Sequence, residues 1–101
     1  MNISITSRKF KARDILKDFI SAEVKSLAKY NDRIHNADVI LSYQNTRASL
    51  KIAEIIVQVP GQTLTATEQS DDYKKAVSAA VEKLARQLTK LKSKKTARIR
   101  V

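Results

Sequence analysis

No cysteine and no tryptophan occur in this 101-residue chain, and glycine, proline and histidine occur once each, as Gly61, Pro60 and His35. The missing thiols exclude a disulfide framework and any thiolate metal site, so the fold has to stand on packing alone, as suits a reducing cytosol. One glycine cannot build a phosphate-binding loop. A single Pro and a single Gly also cannot punctuate the many turns of an all-β sandwich, which favours long helices and a few strands. Nowhere do about 18 apolar residues run together, so no transmembrane helix is expected. The opening Met1-Asn2-Ile3-Ser4-Ile5-Thr6-Ser7 lacks the apolar run of a secretory signal. These absences point to a cytoplasmic protein with no membrane partner and no cofactor.

Acidic residues are the other scarcity, and they are scarce in one place. Residues 1–73 hold ten Lys/Arg against nine Asp/Glu, whereas residues 74–101 hold ten against Glu82 alone. Nearly all of the net charge of +10 therefore falls on the last 28 residues. Solubility does not require such a skew, whereas a surface for a polyanion does. With 43% hydrophobic residues, the chain can still fill one core of single-domain size.

The hydrophobic pattern changes period along the chain. Residues 2–7 alternate, with Ile3 and Ile5 on one side, as in a half-buried strand. Over residues 13–30, Ile15, Leu16, Phe19, Ile20, Val24, Leu27 and Ala28 recur at steps of three and four, which predicts an amphipathic helix. Val39, Leu41 and Tyr43 mark a second strand, and residues 50–59 a third that is nearly continuous in apolar character. Pro60-Gly61 turns the chain into a fourth, Thr-rich strand over residues 63–67. Residues 45–49 join the second and third strands and carry Arg47 near the tip.

A long second helix follows, with Ser70 as its expected N-cap and Asp71 and Asp72 in a first turn where the helix dipole favours negative charge. Its stripe is Tyr73, Val77, Ala80, Val81, Leu84, Leu88 and Leu91. The order β-α-β-β-β-α predicts an α+β fold in which both helices cover one face of a four-stranded sheet. Residues 1–92 would form the domain and residues 93–101 a short basic tail.

Lys75, Lys83, Arg86, Lys90 and Lys94 lie off that stripe and stack along one side of the helix. Like charges at three- and four-residue spacing cost a bare helix a few tenths of a kcal/mol per pair, which argues for a ligand outside the chain. Charge runs usually do no more than solvate a helix face, but mixed signs are the rule there, and here one sign dominates. A helix lying on a membrane surface would need its stripe free, yet this stripe is the sheet's cover. Phe10, Phe19, Tyr30, Tyr43 and Tyr73 include no evident exposed stacking pair, so backbone and shape contacts to RNA are expected rather than base reading. Catalysis finds little support. His35 stands in a polar loop without a nucleophile motif, an Asp32/His35 dyad is the sort of pair that arises by chance, and Asp71-Asp72 serves a helix start better than a metal.

Several segments, taken in order, carry a family resemblance. They are Met1 to Arg8, the Tyr30-Asn31-Asp32-Arg33-Ile34 turn, Val57-Gln58-Val59-Pro60-Gly61, Glu68-Gln69-Ser70-Asp71-Asp72-Tyr73, and Lys83-Leu84-Ala85-Arg86-Gln87-Leu88-Thr89-Lys90. Together they resemble the short bacterial ribosome hibernation factors, the family of hibernation-promoting factor and the ribosome-associated inhibitor (the sigma-54 modulation protein family), from Met1 to about Lys94. The resemblance implies a fold similar to the double-stranded-RNA-binding domain. It also implies a non-enzymatic, monomeric protein that docks on small-subunit rRNA near the decoding and tRNA sites. Such a protein inhibits translation by steric occlusion in stress or stationary phase, and would need another factor to pair idle ribosomes into dimers. Lys83, Arg86 and Lys90 match basic positions of the family's second helix, and Lys29 one near the end of the first, with Lys25 beside it. Glu23 and Ser26 stand where many relatives carry lysine, Asn31 replaces a common aromatic, and Arg13 stands where a capping Thr is frequent. The rival readings are a constitutive ribosomal or assembly protein and a free double-stranded-RNA binder.

Overall fold

The computed structural model describes residues 1–44 and 50–99, with side chains to residue 91; Arg47 and its connection lie outside the described residues. Strand β1 (Asn2–Ser7) leads to helix α1 (Asp14–Lys25), which tightens into a 3-10 turn over Ser26–Lys29. Strands β2 (Asn36–Gln44), β3 (Leu50–Val59) and β4 (Gln62–Ser70) follow, and helix α2 (Tyr73–Ile99) completes the chain. The sheet order is β1-β2-β3-β4. β1 runs parallel to β2 because α1 carries the chain back across the sheet, and the other pairs are antiparallel. The expected α+β order and antiparallel meander are thus realised.

Register puts the apolar residues on one face. Ile5 pairs with Val39, Val39 with Ile55, and Ile55 with Ala66, so one row crosses all four strands. Ile3, Ala37, Val57 and Leu64 form the next row. Onto these rows α1 and its 3-10 turn bring Ile20, Val24 and Leu27, while α2 brings Ala76, Val77, Ala80, Val81, Leu84 and Leu88, all buried. Ile40, Ile52 and Ile56, with Thr6, Glu54, Thr65 and Thr67, occupy the opposite face by alternation. The unbroken apolar look of β3 therefore combines two faces rather than one.

Local chemistry fixes the joints. Pro60 and Gly61 form the two-residue link between β3 and β4, with Gly61 at φ 85°, where a side chain would be strained. Asn31 accepts a hydrogen bond from the Arg33 N–H through its side-chain oxygen at 2.8 Å, closing an Asx turn. Arg13 precedes α1 without a side-chain cap.

Three expectations need correction. Ser70 is not the cap of α2: it is still paired with Lys51 as the last residue of β4. Asp72 does the capping, its carboxylate accepting from the Lys74 N–H at 3.2 Å and its carbonyl from the Ala76 N–H at 3.0 Å. Ile15 and Ala28 do not belong to the buried stripe. Ile15 is 74% exposed because it sits about 100° around the helix from Leu16, and Ala28 is likewise exposed. The first helix is not one α-helix to residue 30, since its last turn is 3-10. Helical backbone continues to Ile99.

Leu84 is wholly buried at the centre of this contact. Leu84→Ala should lower the unfolding free energy by about 2–5 kcal/mol, whereas Ile15→Ala should change it by no more than about 0.5 kcal/mol. Urea titrations of the two variants check both figures.

Candidate nucleic-acid interface

Because the stripe from Val77 to Leu88 faces the sheet, the other side of α2 faces solvent. Lys75, Lys83, Arg86 and Lys90 are all exposed there. Lys83 and Lys90 share a flank and stand about 10 Å apart along the axis, with Arg86 between them and farther out. The flank faces β4: Gln87 donates to the Thr65 carbonyl at 3.3 Å, and Lys83 Nζ lies 3.4 Å from Glu68 Oε1. Lys94 falls on the helical backbone beyond, and its side chain lies outside the described residues.

Acids temper this surface. Arg86 is held by Glu82 at 2.6 Å and Lys75 by Asp71 at 3.4 Å, each one turn away on α2 or its approach. Hydrogen bonds from Ser70 and then from Lys75, with the lysine's charge, hold the Asp71 carboxyl below the usual carboxylate range. All three are surface pairs, which are weak in water and screened by salt, so a phosphate can displace the acid at little cost. Lys90 makes no ion pair among the described residues.

The first helix lies on the other side of α2. The Ser78 hydroxyl donates to the Glu23 carboxylate at 2.6 Å, and Lys74 Nζ sits 5.6 Å from the centre of the Phe19 ring. Glu23 thus joins the two helices. These contacts set the helices side by side, residue 19 level with 74 and residue 23 level with 78. Lys25 and Lys29, both exposed, then fall level with the middle of α2, across it from the Lys83–Lys90 flank. The structure gathers Lys83, Arg86 and Lys90, and leaves Lys25 and Lys29 as a separate group.

A further basic group was not singled out from the sequence. Arg8, Lys9, Lys11 and Arg13, in the link from β1 to α1, are all exposed. Charge summed over residues 1–73 hides them, whereas a six-residue window shows four cations and no acid. Phe10, between them, stacks on Tyr73 at 5.1 Å and 16° and meets Tyr43 edge-on at 6.1 Å. Tyr73 donates its hydroxyl to the Ser42 carbonyl at 3.0 Å, with Lys51 Nζ 5.7 Å from its ring centre. Phe19 and Tyr73 are half-buried, as expected of core-facing rings.

Among the described residues no group of three or more His, Cys, Asp or Glu gathers as a metal site would require. Among the described residues no helix is long and apolar enough to cross a membrane.

The β-α-β-β-β-α fold seen in this chain has known relatives. The family model for Sigma 54 modulation protein / S30EA ribosomal protein matches residues 3–96. The chain belongs to this family. Ribosome hibernation promoting factors of Klebsiella oxytoca and Escherichia coli K12 are each 30% identical over 94 residues, covering 93% of this chain and 96% of theirs. Among solved structures, a ribosomal subunit interface protein from Coxiella burnetii superposes with a TM-score of 0.84 at 28% identity, covering 92% of this chain and 99% of its own. The Protein Y N-terminal domain of Thermus thermophilus gives 0.80 at 28%, covering 90% and 99%. The S30EA fold and the order of its elements are therefore shared along nearly the whole match.

The Tyr73 phenol is pushed above its usual value, first by burial and then by the neighbouring Tyr43. Folding therefore favours the protonated form. The contribution is intact below the unfolded phenol's pKa of about 10 and is lost as pH rises through the higher folded value. Stability should fall more steeply above about pH 10 in the wild type than in Tyr73→Phe, as denaturant midpoints at alkaline pH would show.

Proposed function

We propose that this chain is a ribosome hibernation factor: it binds small-subunit rRNA near the decoding and tRNA sites and blocks translation by occupying them in stress or stationary phase. One observation carries the reading. The inner side of α2 is committed to the core, while its outer side offers Lys83, Arg86 and Lys90 together, with Lys75 nearer the helix start. These four, with Lys94 later in the chain and with Lys25 and Lys29, are the proposed RNA contacts. Relatives named for ribosome hibernation and for the ribosomal subunit interface match almost end to end, which favours rRNA over a generic duplex.

The mechanism needs no bond-making. Lysine and arginine neutralise phosphates and release counterions, and a rigid domain seated in a channel excludes what would otherwise enter. Residues 1–92 act as one ribosome-binding domain, monomeric and cytoplasmic, and residues 93–101 as a short basic tail.

The test is co-sedimentation of the purified protein with small ribosomal subunits over a salt series. Wild type should bind stoichiometrically and lose affinity as salt rises. Lys83/Arg86/Lys90→Glu should abolish binding, while Glu68→Gln, which frees Lys83, should strengthen it. A wild type that stays in the supernatant at low salt would refute the ribosomal reading. In cells, the chain should sediment with idle ribosomes and be absent from polysomes, which separates a hibernation factor from a constitutive ribosomal protein.

A further inference from the structure

We infer that the link between β1 and α1 is a second RNA-binding element, in which Arg8, Lys9, Lys11 and Arg13 grip phosphates at the end of the domain opposite Lys90. The inference rests on the ribosomal reading above and adds a contact region to it.

The loop has a definite construction. Arg8 is still tied to the sheet, its N–H donating to the Leu41 carbonyl at 2.9 Å. Phe10 is pinned by stacking on Tyr73, and Ala12 is buried at 4% exposure. Every remaining residue of the segment is an exposed cation. No neutral polar side chain or acid is interposed, so two apolar anchors hold a frame from which four positive charges project.

Lys9 is the most telling of the four. Its φ of 66° lies in the left-handed region, where Gly, Asn or Asp is the easier occupant. A lysine at a position that disfavours it indicates that the charge is wanted there. Among the described residues none of the four cations forms an ion pair. The nearby acids are otherwise engaged: Asp71 holds Lys75, Asp72 caps α2, and Asp14 sits in the first turn of α1, where the dipole favours it. This contrasts with Lys75, Lys83 and Arg86, each of which carries its own carboxylate.

The two cationic groups are far enough apart to act separately. Phe10 rests on the first residue of α2, so the loop stands about 15 Å along the axis from Lys83 and about 25 Å from Lys90. Both spans exceed the Debye length of about 8–10 Å, and the two groups would neutralise different phosphates. The rings of Phe10 and Tyr73 spend facing surfaces on each other, so the loop grips backbone rather than stacking bases. Its loss should weaken binding without changing sequence preference.

The experiment compares wild type, Arg8/Lys11/Arg13→Gln, Lys83/Arg86/Lys90→Gln and the combined variant in equilibrium binding to small ribosomal subunits over a salt series. Lys9 is retained to preserve the backbone at its left-handed position. With an unchanged melting temperature, the loop variant should bind about tenfold more weakly, and its slope of log affinity against log salt should be shallower by about 2–3. The loop and helix losses should add in the combined variant. Since the chain has no cysteine, Lys11→Cys and Lys90→Cys each supply one thiol for a tethered hydroxyl-radical source, and the two should cut separate stretches of rRNA. Wild-type affinity and slope in the loop variant, or no cuts from position 11 where position 90 cuts, overturns this inference alone. Wild type that does not bind subunits overturns the ribosomal reading and this inference together.

Discussion

Everything outside the core depends on the seam where Val77, Ala80, Leu84 and Leu88 meet the rows from Val39 to Ala66. Those α2 residues are buried to 1% exposure or less. The contact fixes the rotation of α2 about its axis, and the rotation decides what solvent sees. Had the stripe been shifted by one residue, Lys83 and Arg86 would have turned by about 100° and Lys83 would face the sheet. Burying an unpaired ammonium is prohibitive, so the core pattern and the basic pattern constrain each other. One helix thereby serves two surfaces without a loop or pocket devoted to either.

The seam also explains which features were legible beforehand. Strands β1 and β2 announce themselves by alternation, and β3 by a β-branched apolar run that combines its two faces. The stripe of α2 has the period of a helix and could be nothing else at that length. The errors fell where a local rule admits several occupants. Ser70, Asp71 and Asp72 can each cap a helix, and the choice was made by β4, whose pairing with Lys51 holds Ser70 in the sheet. Ile15 fits a three-and-four spacing as arithmetic, but a 12-residue helix on a sheet has one inner side, and Ile20 and Val24 define it. Such outcomes depend on tertiary contacts that periodicity does not contain.

The basic surface was legible as charge and not as geometry. Counting located Lys83, Arg86 and Lys90 on one helix side, yet it could not show that Glu68 reaches Lys83 from another element. Nor could it show that Glu23 joins Ser78 across the two helices. Residues 8–13 were missed for a different reason. Their four charges were averaged against acids that the fold employs elsewhere, Asp72 in capping α2 and Asp71 in holding Lys75. Net charge over a long segment says little once the acids in it have structural work, and the local window is the better guide to a surface.

The corner formed by Phe10, Tyr43 and Tyr73 bears on specificity. Contacts to phosphate supply affinity and carry no sequence information, so a protein that binds through lysine and arginine must discriminate by shape. Shape discrimination requires that its charged groups keep fixed separations, since a mobile loop would adapt to many polyanions equally. Stacking of Phe10 on the first residue of α2, with the Tyr73 hydroxyl bound to β2, ties the β1–α1 link to the rod that bears Lys83 and Lys90. The spacing between the two cationic groups is then set by the length of helix between them, a dimension as rigid as the fold offers. A matching pair of phosphate clusters is rare on generic RNA and repeatable in a folded one, and on that basis a sequence-blind surface can select a single structured target.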